Sequence, residues 1–181
     1  MRFLLASTAL VAASVPVSAF AVDYLSAEQA ARLIFPEAEH FEPRTLSLDA
    51  AQLQQLAGLG LRPRSASWTV QRALRGNETL GYVLVDEVLG KFELISYAVG
   101  LSREGSVKQI EILSYRESHG GEIRLPAWRR QFVGKTAASA MRVGEDIANI
   151  SGATLSCTHV TDGVRRIVAV VALARRGGVL T

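Results

Sequence analysis

Cysteine is nearly missing from this chain: Cys157 is the one cysteine among 181 residues. No internal disulfide can form, and a thiol redox pair, which needs a second cysteine, is excluded. Cys157 itself reads as a small buried residue in a tight stretch. Histidine is sparse too, with three in the chain. His40, His119 and His159 are scattered, and no spacing of a metal site appears around them. Lysine and arginine form no block: Arg129-Arg130, Arg165-Arg166 and Arg175-Arg176 are isolated pairs, and the net charge is only +3. With no RNA-type aromatic motif either, nucleic acid is not an expected partner. There is no G-x-G-x-x-G string, no internal repeat and no low-complexity linker, which removes a Rossmann dinucleotide site from consideration.

A long membrane-spanning run is also lacking. Phe3 to Val17 is apolar and rich in small residues, but it is short for a span and Pro16 interrupts it. It follows Arg2 and precedes Ala19-Phe20-Ala21, an A-x-A cleavage pattern. Residues 1–21 therefore read as a cleaved signal peptide, with Val22 as the new N-terminus; the alternative is an uncleaved anchor. No lipobox cysteine is present. The expectation is a soluble protein, periplasmic or otherwise exported, with a position peripheral to a membrane as an open alternative.

What remains is globular in composition, 49% hydrophobic and 20% charged, and long enough for one compact domain. Ser26-Ala27-Glu28-Gln29 is a capping box opening a helix that Pro36 stops. Asp49 is placed to cap a second short helix carrying Leu53 and Leu56. Residues 22–66 thus read as a helical segment, and 67–181 as the main domain. Four strands follow, Ser67–Ala73, Leu80–Val88, Phe92–Leu101 and Val107–Tyr115, joined by short turns at Gly76-Asn77, Gly90-Lys91 and Gly105. A short helix over Ala127–Val133 and a long Val- and Ala-rich helix from about Thr158 to Arg176 complete the chain. The pattern predicts an α+β fold: an antiparallel meander with helices packed on one face.

The stretch of greatest interest is Ser151-Gly152-Ala153-Thr154-Leu155-Ser156-Cys157, small and hydroxyl-rich, leading into the last helix. A helix N-terminus leaves N–H groups unpaired and carries about half a positive charge, so it attracts phosphate where small residues allow close approach. The alternative is a plain hydroxyl N-cap.

Three strings in order resemble a known family. These are Tyr115-Arg116-Glu117-Ser118-His119-Gly120-Gly121-Glu122-Ile123, then Trp128 through Gln131-Phe132-Val133-Gly134-Lys135, then Ser151-Gly152-Ala153-Thr154. Together they resemble the FMN-binding domain found in the C subunit of the sodium-pumping NADH:quinone reductase and the G subunit of the Rnf complex. In that family a flavin transferase joins FMN to the final Thr through a phosphoester, so the resemblance implies Thr154 as the acceptor. It further implies an electron-transfer flavoprotein with a redox partner, such as a membrane electron-transport complex, rather than a self-contained enzyme. Non-covalent FMN, or a flavin-free adaptor of such a system, is the alternative. Ser151, Gly152, Ala153 and Ser156 are candidates to surround the phosphate. Leu155, Trp128 and Phe132 are candidates for the ring slot, or for ordinary core. Glu117, Gly120 and Gly121 are candidates for the ring edge or ribityl chain, and Lys135 for tuning the ring. Two positions depart from the family's pattern. Ala148 stands where the family has Asp, with Asp146 two residues earlier, and His119 stands where its loop has Pro.

Overall fold

The computed structural model describes residues 24–180, so the signal peptide read at 1–21 lies outside the described residues. Helix α1 (Ala27–Ile34) opens on the capping box: Ser26 Oγ accepts from Gln29 N, and the Gln29 side chain accepts from Ser26 N. Helix α2 (Ala50–Gly58) starts the same way on Asp49 and Gln52. Each box satisfies two otherwise unpaired N–H groups, which lets such short helices hold their first turn.

Five strands, β1 (His40–Ser47), β2 (Ser67–Arg75), β3 (Glu78–Leu89), β4 (Leu94–Ser102) and β5 (Val107–Ser114), form one antiparallel sheet in chain order. Four match the alternation read from the sequence. The fifth, β1, lies within the stretch read as helical, and this is a correction. Its residues His40 to Ser47 include Glu42, Pro43 and Arg44, and only Leu46 is buried. That composition suits an edge strand, where a proline and charges cost no inner ladder bond. Along β1, Pro43 faces Gln71 and Leu46 faces Trp68.

The two faces of the sheet differ. On one, Tyr82, Leu84, Tyr97, Val99 and Ile110 meet the long helix α4 (Thr154–Arg176). Helix α4 buries Val160, Val164, Ile167, Val168 and Val171, spaced three and four apart. Each such burial contributes about 1.5–3 kcal/mol. Helix α2 joins this side through Leu56. The opposite face carries Ala73, Val83, Ala98 and Leu113, and α1 packs there through Ala30, Ala31 and Ile34. The expectation that all helices share one face therefore holds for α2 and α4 and not for α1. Small residues make room for it. A Cβ on Gly81 would lie 2.6 Å from Phe35 Cζ, and one on Gly100 would lie 3.3 Å from Ile34 Cβ and closer still to its Cγ2.

The β5 edge is covered by irregular structure. A 3-10 turn (Gly121–Arg124), the short helix α3 (Pro126–Arg129) and a second 3-10 turn (Arg130–Phe132) run beside it; the last two replace the single helix expected over Ala127–Val133. Arg129 Nη1 donates to Ile110 O at 2.7 Å and also pairs with the buried Glu111 carboxylate. Gly134 N donates to Val107 O at 2.7 Å, and Val107 N to Lys135 O at 2.8 Å. The edge is thereby closed to further strand pairing.

Candidate functional site

Helix α4 begins at Thr154, four residues earlier than its apolar pattern suggests, so the Ser-Gly-Ala-Thr string runs into its first turn. Its N-cap is Ala153, and no side chain caps the helix. The hydroxyl-cap alternative is thus set aside. The first internal bond runs from Cys157 N to Ala153 O, at 3.0 Å. The N–H groups of Thr154, Leu155 and Ser156 precede it and have no partner within the helix. The hydroxyls are committed elsewhere: Asn149 Nδ2 donates to Thr154 Oγ1 at 3.1 Å, and Ser156 Oγ faces Tyr115 Oη at 3.1 Å. Gly152 has φ +80°, a left-handed turn that a side chain would strain, and the space around it is open.

Thr154 is exposed and lies in a cleft of about 420 Å³. Gly152 to Ser156 line one side, Lys91 and Phe92 another, and Glu117 to His119 the third. Phe92 is 72% exposed and Leu155 47%, so two large apolar groups are open to solvent beside an exposed hydroxyl. Phe92 belongs to the β3–β4 turn, and Glu117 holds that turn: its Oε1 accepts from Phe92 N at 2.7 Å and from Glu93 N at 3.1 Å. Desolvation works to raise the Glu117 pKa. The N–H donors of Phe92, Glu93 and Lys91 and the Lys91 charge outweigh it, so the carboxyl sits below its ordinary value. A second hollow of about 540 Å³ adjoins across Glu117–His119 and is lined by Tyr115, Gly120, Gly121 and Ser151 among others.

Beneath the cleft the packing is tight. Tyr115 Oη donates to His119 O, and burial raises its pKa. Gly120 has φ +86°, and a Cβ there would lie 2.7 Å from Tyr115 Oη and closer still to Ala153 Cβ. This glycine lets the 115–121 loop lie against the start of α4. Cys157 is fully buried with its pKa raised by desolvation, the state of a packing residue.

The remaining sequence candidates fall into two groups. Ser151, Gly120 and Gly121 border the second hollow rather than the first. Trp128, Phe132 and Lys135 border neither. Trp128 and Phe132 are buried against each other edge to face, with ring centroids 5.1 Å apart. Lys135 Nζ pairs with Asp146 at 2.6 Å. Asp146 also accepts from Met141 N at 3.1 Å and from Arg142 N, fixing a loop in which Met141 has φ +44°. The Lys135 hydrogen bond, with these backbone donors, holds the Asp146 pKa down at about 2. Trp128 Nε1 donates to Ala148 O at 2.8 Å, and Ala148 N donates to Gln131 Oε1 at 2.7 Å. The second string thus supports the segment before Thr154 instead of lining the cleft. Phe92 and Asn149 were not among the sequence candidates. Phe92 reads as the start of a strand, and Asn149 lies in a stretch with no periodic signal.

A further hollow of about 490 Å³ between α1 and β1 carries the surface pair Glu28–Arg32 together with Glu39 and His40, the latter 3.8 Å from Glu42. Among the described residues no cluster of His, Cys, Asp and Glu is arranged for a metal ion, and no helix is long and apolar enough to cross a membrane.

Residues 90–169 match the FMN-binding domain. The chain is 32% identical over 104 residues to the G subunit of the proton-translocating ferredoxin:NAD(+) oxidoreductase complex from Clostridium ljungdahlii, an alignment covering 53% of this chain and 56% of that protein. The chain therefore spans little more than half the length of that curated relative. The crystal structure of NqrC from Shewanella oneidensis superposes with a TM-score of 0.54 at 15% identity, over 80% of this chain and 88% of that one. At that identity the likeness concerns the fold alone. The cleft, the 117–121 loop and the Ser-Gly-Ala-Thr string all fall within the span, residues 90–169, that is similar to the FMN-binding domain.

Proposed function

We propose that this chain is an exported flavoprotein that carries FMN on Thr154 and exchanges electrons with a partner in a membrane redox system. The observation that carries this reading is the setting of Thr154: an exposed hydroxyl on the first turn of an uncapped helix, inside a cleft with two exposed apolar side chains. FMN has a dianionic phosphate at one end and a flat, largely apolar ring at the other, and the residues present fit both ends. The free N–H groups of Thr154, Leu155 and Ser156 and the α4 dipole favour a phosphate joined to Thr154 Oγ1. Phe92 and Leu155 offer apolar surface for the ring, which explains why they lie open. When bound, FMN supplies the one- and two-electron chemistry.

The chain's own residues bind, orient and insulate. Glu117 fixes the Phe92 turn through backbone N–H groups, so its charge is partly neutralised before it faces a ring. Gly120 brings the 115–121 loop within reach of Ala153. Ser156 and Tyr115 form a buried hydroxyl pair below the phosphate position, closed to bulk water. By analogy with the Clostridium ljungdahlii protein, the partner is a proton-translocating oxidoreductase complex, and by the family resemblance a flavin transferase matures the chain.

The test is the intact mass of the protein produced with its leader in a host that has a flavin transferase. A gain of one FMN less one water, lost in Thr154→Ala, supports the reading. A bare mass in a yellow sample overturns the ester while keeping FMN. A bare mass in a colourless sample overturns both and favours a flavin-free adaptor.

A further inference from the structure

We propose that Asn149 is the positioning residue for flavin attachment, presenting Thr154 Oγ1 as a nucleophile; this rests on the covalent reading above. Asn149 Nδ2 donates to Thr154 Oγ1 at 3.1 Å. An amide N–H can only donate, so it takes an oxygen lone pair and leaves the hydroxyl proton directed elsewhere. In that orientation the proton is available to a base, and charge that develops on Oγ1 already faces a donor.

The donor is held in place by its neighbours. Both polar main-chain groups of Ala148 are occupied, the carbonyl by Trp128 Nε1 at 2.8 Å and the N–H by Gln131 Oε1 at 2.7 Å. On the other side, Ile150 O accepts from Ala153 N at 3.0 Å. Asn149 thus sits between two pinned residues, and its side chain spans from that segment to the first helical residue. Asp146, two positions before the pinned Ala148, anchors the same loop to Lys135. Support of this kind fixes the geometry of a short polar side chain. Asn149 and Thr154 are both exposed, so a transferase can reach the pair.

The step is a phosphoryl transfer. Thr154 Oγ1 attacks the phosphorus of a flavin phosphoanhydride, and the Oγ1–P bond forms as the anhydride P–O bond breaks. The nucleoside monophosphate leaves with the bonding pair. The hydroxyl proton passes to a base of the transferase. No electron is gained or lost. Asn149 takes no proton and forms no bond to phosphorus.

The experiment follows attachment over time by intact mass, using the mature protein, a purified flavin transferase and flavin adenine dinucleotide as the anhydride. Wild type is compared with Asn149→Ala, Asn149→Asp and Asn149→Gln. Loss of one preorganised donor lowers a rate by roughly a hundredfold to a thousandfold. Asn149→Ala is expected to fall in that range at unchanged thermal midpoint. Asn149→Asp, the same size with no donor at neutral pH, is expected to be as slow and to recover partly as pH falls and its carboxyl gains a proton. Asn149→Gln retains a donor and is expected to regain part of the rate. A structural role alone would not give this pH-dependent recovery. Asn149→Ala or Asn149→Asp loading at the wild-type rate overturns the proposal while the covalent reading stands. A wild-type chain that never gains the mass overturns the covalent reading, and this proposal with it.

Discussion

Gly163 lies in the middle of α4, where helix propensity and packing make opposite demands. On propensity alone, Gly163→Ala stabilises a helix interior by about 1 kcal/mol. The structure points the other way. A Cβ at 163 would lie 2.8 Å from Tyr97 Cζ, 3.2 Å from Val88 Cγ1, and closer still to Tyr97 Oη. Tyr97 cannot swing aside: its ring is fully buried, and its hydroxyl donates to Asp86 Oδ2 at 3.2 Å. Asp86 in turn pairs with Arg166 on α4 and with Arg64, so the ring is fixed at both ends. Overpacking costs about 1–3 kcal/mol. Displacing a hydrogen bond to a partly buried carboxylate costs about 1–3 kcal/mol more. Set against the propensity gain, the net loss is about 1–5 kcal/mol, or roughly 2–20 °C in thermal midpoint for a domain of this size. Circular dichroism melting of Gly163→Ala against wild type measures it. Tyr97→Phe in the same background removes the hydroxyl that the new methyl meets, and the double variant is expected to lose less than the two single losses added together. A Gly163→Ala midpoint at or above wild type refutes the packing argument, and strictly additive losses refute the assignment to Tyr97.

Three further outcomes are expected. Gly120→Ala imposes both a strained φ and a clash with Ala153 and Tyr115, so it is expected to destabilise by about 2 kcal/mol or more in thermal melting and to impair FMN loading, read as flavin absorbance relative to protein absorbance. Phe92→Ala removes a ring that makes little folded contact, so stability is expected to change by less than about 0.5 kcal/mol, while flavin fluorescence or retention shifts; a large midpoint change with unaltered flavin signals contradicts its place in the slot. Asp146, with a folded pKa lowered to about 2, contributes stability that is fully present above its unfolded value near 4 and is lost as pH falls toward 2. Amide exchange in residues 141–150 is expected to quicken across that window, and Asp146→Asn to flatten the dependence; identical profiles in the two proteins count against the anchor.

The parts of the fold legible in the sequence are those written locally. Ser26/Gln29 and Asp49/Gln52 announce both capping boxes, because every partner lies within one turn. Tyr82, Leu84 and Asp86 share a face as strand alternation requires, and the carboxylate on that face finds Arg166. The edge strand β1 escapes a sequence reading because its one buried residue, Leu46, gives no alternating run. The start of α4 reads late because Thr154, Leu155 and Ser156 carry no apolar stripe; a helix beginning without a side-chain cap leaves no signature. At the site, Thr154 and the 117–121 loop are legible as strings. Phe92 is not, since Glu117 brings it to the cleft from a distant turn. Trp128 and Lys135 stand in the sequence as flavin candidates, yet their partners are Ala148 and Asp146, neighbours that only folding reveals.

The helix lodged against Gly81 and Gly100 has a consequence for the order in which the chain assembles. α1 is the first described element to leave the ribosome, but its seat is made by β3, β4 and β5. Glu37 reaches Lys108 across 71 positions, and Tyr24 reaches Tyr115 across 91. A helix of 8 residues has little stability alone. It must wait, unstructured, until nearly two-thirds of the chain has been synthesised, and closing so long a loop is slow. Helix α1 thus stays undocked and open to handling by other proteins while β3, β4 and β5 are made, and its docking is the act that seals that face of the sheet.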